Sequence, residues 1–247
     1  MTRELSYFCF MNKKEEYAHR TIAEIVTEDI SKAGVFKKYG LDFCCGGGRS
    51  IEEACSKKGI DMEALIRDLE SVKSRTGDRP VRFHSWPMHL LVDYILEVHH
   101  NYVRENLPVL RQFAAKVAKV HAHADPELLR IQELVEEMAA DLEMHMRKEE
   151  EILFPMIKKL SARQEIDAET LHMILHGPVP VMEAEHENVG DIIKEIRERS
   201  HQFTPPGHAC NTYKALYFKL EEFEDDLFRH IHLENNILFE KLRQLTA

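Results

Sequence analysis

Two ten-residue stretches share one pattern of chemistry-bearing residues. They are His145-Met-Arg-Lys-Glu149-Glu-Glu-Ile-Leu-Phe154 and His230-Ile-His-Leu-Glu234-Asn-Asn-Ile-Leu-Phe239. In each, an imidazole and a carboxylate stand four residues apart, which puts them on one face of an α-helix. That face is the apolar one. Met138, Leu142, Leu153 and Met156 recur with the first pair at steps of three and four, as do Leu220, Phe223, Leu227, Ile237 and Leu238 with the second. Such a stripe faces a core, and a carboxylate there is costly unless a cation or donor meets it. One His-x-x-x-Glu alone reads as a buried hydrogen bond. Two copies in matching frames point to a buried metal.

The repeat extends upstream. His100 lies 45 residues before His145, and His186 lies 44 before His230. His186 falls in the stripe Met182, Val189, Ile193, Ile196, and His100 in Val92, Leu96, Val103, Leu107. Four helices would thus supply four His and two Glu. Imidazole suits Zn, Cu, Fe and Ni, while carboxylate suits harder ions. Paired carboxylate–His sites inside helix bundles typically hold two iron or two manganese ions, here with the carboxylates bridging. Pattern alone does not choose between the adjacent His99 and His100, which point about 100° apart. The matching spacings favour His100.

A second constellation is Leu41-Asp-Phe-Cys44-Cys45-Gly-Gly-Gly-Arg49-Ser50. Three glycines permit positive φ and gather backbone N–H groups ahead of a helix. Arg49 and the helix N-terminus should lower the pKa of Cys44 or Cys45 and give a reactive thiolate. The loop lacks the Lys-Ser/Thr ending of a P-loop, and adjacent cysteines are not the spacing of a structural zinc site.

The elements that must position these residues are all α-helical. Residues 1–16, with Cys9, show no period and read as a flexible arm. Residues 17–72 read as a small helical domain. Ile22, Ile25, Val26 and Ile30 mark one helix, and Val35 and Phe36 begin another that ends at Gly40. Ser50 with Glu53 forms a capping box for 51–58, and Asp61 caps the next helix. Residues 73–86 are a polar linker with Gly and Pro. Residues 87–247 read as a four-helix bundle. Its first helix spans 87–121 and should be kinked or split at Pro108. The second runs from a cap at Asp125 to about 160, bent at Pro155. The third and fourth span 181–200 and 211–245. The stretch 163–180 is ambiguous because Gly177, Pro178 and Pro180 interrupt it.

Composition narrows the partners. A net charge of −10 argues against nucleic acid. No apolar run reaches the ~20 residues of a membrane span, and the N-terminus lacks a signal-peptide core, so the expected location is cytoplasmic. Five irregularly spaced cysteines do not make a disulfide framework. Monomer and homodimer are both open.

Leu41-Asp-Phe-Cys44-Cys45-Gly-Gly, His145-x-x-x-Glu149-Glu-x-Ile-Leu-Phe-Pro, Glu185-His186-Glu187, Thr204-Pro-Pro before Cys210, and His230-x-x-x-Glu234-Asn-Asn-x-Leu-Phe together resemble the RIC proteins. These are the repair-of-iron-centres proteins of the ScdA/YtfE/DnrN type, and the resemblance covers about residues 20–245. It implies a short N-terminal helical domain and a hemerythrin-like bundle with an oxo-bridged non-haem di-iron centre. By that resemblance the metal ligands are His100, His145, Glu149, His186, His230 and Glu234, and Cys44 and Cys45 are the working thiols. It also implies rebuilding of iron–sulfur clusters damaged by nitric oxide or oxidants. Two routes fit: iron donation to the damaged protein, or reduction of nitric oxide; whether the chain is an enzyme in the second sense stays open. The chain departs from the family in its longer arm with Cys9, its third glycine, and extra His at 99, 208 and 232, so His99 and His232 remain alternative ligands. The competing reading is a hemerythrin-like sensor or carrier of oxygen or nitric oxide without repair activity, against which the Cys pair argues. A bundle loaded with structural zinc or manganese is a third.

Overall fold

The structure is a computed structural model that describes residues 13–72, 81–162 and 168–246. Cys9, most of the expected arm, and linker residues 73–80 lie outside the described residues. The described chain is helical and contains no β-strand, only an isolated bridge between Thr21 and Ser50. It divides into two compact units. The first comprises Met1–Trp86 with His232–Ile237, and the second Pro87–Ile231 with Leu238–Ala247.

The first unit contains α1 (Ile22–Glu28), α2 (Ala33–Lys38), α3 (Ile51–Lys58) and α4 (Met62–Ser71). Capping fixes where they begin. Thr21 with Glu24 and Ser50 with Glu53 form complete capping boxes, and the Asp61 side chain accepts from the Glu63 N–H. Each such cap satisfies donors that a helix start leaves unpaired and contributes about 1 kcal/mol. Asp29 ends α1, so Ile30 belongs to a separate 3₁₀ turn, Ile30–Lys32, rather than to the first helix. Ile25, Phe36, Ile51, Leu65, Ile66 and Leu69 are fully buried. Residues 13–18 are helical, so the expected arm does not extend over 13–16. Tyr17 and Lys13 tie this turn to Glu70 on α4.

The second unit is built from long rods. Helix α5 spans 88–121 as Met88–Tyr94, a π segment Ile95–His100, and Asn101–His121. Helix α6 spans 127–161 as Glu127–Lys148, a π segment Glu149–Leu153, and Phe154–Ser161. Helix α7 is Ala168–His176 and α8 is Pro178–Arg199. Helix α9 spans 211–244 as Asn211–Leu233, a π segment Glu234–Leu238, and Phe239–Gln244. Its residues 232–237 group with the first unit although the rod is continuous. Helix α6 packs against both α5 and α8.

Several expectations are corrected here. Pro108 does not split α5, which runs unbroken from Asn101 to His121. Asp125 does not cap α6. The cap position is Pro126, without a side-chain hydrogen bond, and the Asp125 carboxylate instead accepts from His208 at 2.7 Å. Gly177 does interrupt the stretch 163–180, separating α7 from α8, but the third rod starts at Pro178 rather than near 181, since proline is tolerated in a first helical turn. Gly177 is required there because a Cβ would lie 2.7 Å from the Met173 carbonyl oxygen.

Candidate metal centre

Helices α5, α6, α8 and α9 each present their candidate ligand from the apolar stripe. His100, Glu149 and Glu234 are 0% exposed, and His145, His186 and His230 are 1–3% exposed. Among the described residues they form two groups of potential ligand atoms, each within 4.8 Å of one another. One is His100, Glu149, His230 and Glu234; the other is His145, Glu149, His186 and Glu234. Both carboxylates belong to both groups, as bridging requires.

The inner contacts have the polarity of a cation site. His145 Nδ1 faces the Glu185 carboxylate at 3.0 Å, and His100 Nδ1 faces Glu150 at 2.6 Å. A carboxylate can only accept, so these pairings place each N–H on Nδ1 and leave Nε2 as an inward lone pair. The two Nε2 atoms each lie 3.3 Å from Glu149 Oε2. His186 Nε2 lies 3.0 Å from His145 Nε2. Two buried carboxylates ringed by imidazoles need positive charge among them, which a metal ion bound by neutral rings supplies. The donor set, imidazole and carboxylate with carboxylates behind the imidazoles, therefore fits a transition metal.

The outer carboxylates are themselves held. Glu150 is paired with Arg104, and Glu185 with Lys148. Burial alone would raise the Glu185 pKa, but hydrogen bonds from Lys148 and His145 hold it below the usual carboxylate range. Glu185 and Asp141 also line an open groove of about 510 Å³ with Met144, Lys148, Val181 and Asn188.

The three π segments among the described residues fall on this site. One ends at His100, one begins at Glu149 and one begins at Glu234, while α8, which supplies only His186, has none. In such a turn the backbone bonds skip one residue further, as Asn101 N–H to the Leu96 carbonyl and Phe154 N–H to the Glu149 carbonyl show. The wider turn lets the adjacent His99 and His100 both be buried. His99 stays outside the two groups; its Nδ1 lies 3.0 Å from Asp226 and its ring stacks on His230. His232 also lies outside them. It belongs to the first unit, where its ring nitrogens lie 3.3 Å from the Phe43 carbonyl and 3.4 Å from the Thr27 hydroxyl. Burial lowers its pKa to about 4.

The Cys loop departs from expectation. Cys44 is buried and its thiol is raised well above the ordinary value, by its hydrogen bond with Cys45, by burial and by Asp42. The Asp42 carboxylate lies 3.1 Å from Cys44 Sγ and accepts from the backbone N–H groups of Cys44 and Cys45. An anion therefore occupies the place where positive potential was expected. Cys45 is half-buried. None of Gly46, Gly47 and Gly48 has positive φ; Gly47 is needed instead for close approach, since a Cβ there would lie 2.5 Å from the Phe43 carbonyl oxygen. Asn236 donates to the Cys44 carbonyl at 2.9 Å.

One buried ion pair carried no signal in the sequence. Glu224, 0% exposed, accepts from Arg197. It lies on α9 six residues before His230, among apolar neighbours, and only its position in the stripe could have flagged it.

Residues 18–73 match the ScdA_N family, described as a domain of unknown function, and residues 91–242 match the hemerythrin HHE cation binding domain. The chain is 34% identical over 223 residues to the iron–sulfur cluster repair protein YtfE of Escherichia coli O17:K52:H18, covering 90% of this chain and 96% of that protein. It is 35% identical over 229 residues to a probable iron–sulfur cluster repair protein of Haemophilus influenzae, covering 92% and 97%. With a cation-binding bundle behind an ScdA_N segment and these relatives along nearly its whole length, the chain belongs to the YtfE-type, or RIC, family of iron–sulfur cluster repair proteins.

Proposed function

We propose that this chain is a di-iron protein that restores iron–sulfur clusters damaged by nitrosative or oxidative stress. The observation that carries the reading is the pair of buried four-residue groups sharing Glu149 and Glu234. In this reading His100, His145, His186 and His230, together with the shared Glu149 and Glu234, would hold the iron pair. The bound pair would supply exchangeable ferrous iron and one-electron chemistry toward nitric oxide or oxygen. The protein's own part is to fix six donors, orient two imidazoles through Glu150 and Glu185, and keep the pocket dry. The groove beside Glu185 and Asp141 gives iron, as cargo, a route past the imidazole wall. Cys44 and Cys45 act on the recipient's iron or sulfur from an N-terminal domain over 17–72, joined to the bundle at 87–247 by the linker 73–86. Cys45, the less buried of the two, is the one that meets a partner first. The protein works in the cytoplasm; no described helix is long and apolar enough to cross a membrane.

The test is reactivation of a nitric-oxide-damaged iron–sulfur enzyme by the iron-loaded chain, against Glu149→Ala. Reactivation by the parent and not the variant supports the proposal. Equal recovery with both, or with ferrous salt alone, contradicts it.

A further inference from the structure

Cys210 and His121 lie in the second unit, far from the His/Glu groups. His121 follows His100 by 21 residues on α5, and Cys210 precedes His230 by 20 along α9, each roughly 30 Å of helix at 1.5 Å per residue. We propose that Cys210 and His121 form a reactive thiolate–imidazole pair that undergoes exchange with low-molecular-weight disulfides.

Geometry from two helices converges on the sulfur. Cys210 immediately precedes α9, and its carbonyl accepts from Lys214 N–H at 3.0 Å. Its thiol is exposed, and the backbone N–H groups of Thr212 and Tyr213 in the first turn of α9 lower its pKa. From the other side, His121, the last residue of α5, places Nε2 3.2 Å from Sγ. The sulfur thus sits at the positive end of a long helix and the imidazole at the negative end of another. The N-terminal end of α9 favours thiolate at the sulfur. The His121 ring lies against Tyr213, 5.4 Å between centroids, which limits its orientation.

Lys116, on α5, adds positive potential to the sulfur. Asp125 would oppose it, but its carboxylate is engaged by His208 at 2.7 Å. The sum holds the Cys210 thiol below its ordinary pKa, the backbone N–H of Tyr213 contributing most. Cys44 and Cys55 are both buried and both shifted upward. A nucleophile with its base in hydrogen-bond reach is the arrangement that activates a thiol.

The exchange balances without another reagent. Cys210 Sγ–H gives its proton to His121 Nε2. The thiolate attacks one sulfur of R–S–S–R, and the new Sγ–S bond forms as the old S–S bond breaks. The departing R–S⁻ takes the proton back from His121. Cys210 is oxidised to a mixed disulfide, and one half of the small disulfide is reduced to a thiol.

The metal-loaded chain is incubated with oxidised glutathione, quenched with acid, and mapped by peptide mass spectrometry. Cys210 is expected to form the adduct before Cys55, and faster in the native chain than in the urea-unfolded one. Iodoacetamide alkylation of Cys210 should reach half its maximal rate at a pH below the ~8.5 of free cysteine. His121→Ala, whose fold is checked by circular dichroism, should slow the adduct at neutral pH about tenfold. A native Cys210 that reacts no faster than in the unfolded chain overturns the proposal without any variant. An unchanged rate in a folded His121→Ala overturns the role of the imidazole.

Discussion

Replacing Glu149 by Gln separates a metal ligand from a structural hydrogen-bond acceptor. The side chain is fully buried, lies 3.3 Å from two imidazole nitrogens, and belongs to both candidate groups. Without metal, its charge is a liability, because the effective penalty for an ion taken from water is several kcal/mol. Metal-free Glu149→Gln should therefore melt at or above the metal-free parent. With metal the order reverses. Ferrous ion at a thousandfold excess over its Kd stabilises the parent by ~4 kcal/mol. At ~2–4 °C per kcal/mol for a chain of this size, that is a rise of ~8–16 °C in Tm. The variant, with one donor removed from each ion, should show almost none of it. Glu150→Gln is the control. Among the ligands it touches only the outer nitrogen of His100, its other partner being Arg104, so it should weaken binding by ~10–100-fold and recover with more metal. The assay is anaerobic calorimetry of the metal-free chain across a ferrous titration. A variant that gains as much as the parent, or a metal-free variant that melts far below the metal-free parent, would refute the reasoning.

Cys44→Ser with Cys45→Ser should leave metal content and optical spectrum unchanged while abolishing repair of a damaged iron–sulfur enzyme; loss of metal would make the thiols resident ligands. Glu224→Ala strands Arg197 and should cost ~3–5 kcal/mol in urea unfolding without altering metal stoichiometry. The hydrogen bonds of Lys13 and Tyr17 hold the Glu70 carboxyl below 4.5. Its contribution is therefore present above pH ~4.5 and is lost as pH falls through the lower folded value. Glu70 is largely solvated, so Glu70→Gln should cost under ~1 kcal/mol at pH 7 and nothing in strong acid, read from unfolding midpoints across pH.

The helices were legible where local chemistry fixes them. Ser50 with Glu53 needs only three residues of context, and His145-x-x-x-Glu149 in a Leu/Met stripe already states which face is buried. The π segments were not, because the choice between backbone bonds four and five residues apart is made by tertiary packing around the ligands. Pro108 misled because the cost of a proline inside a helix is set against the burial of Leu107 and Leu110 beside it. Asp125 looked like a cap, yet its carboxylate goes to His208, 83 residues away, which no local pattern reveals. The Cys44 thiol was misjudged for the same kind of reason: Asp42, two residues earlier, folds back beneath it.

The most direct measurement is metal content of the chain purified anaerobically from iron-replete cells, with its EPR and Mössbauer spectra. Two irons per chain are expected, with the spectrum of a coupled pair, lost together in Glu149→Ala and Glu234→Ala but retained in Glu151→Ala. Stoichiometric zinc with iron near zero, or a single uncoupled iron, would contradict it.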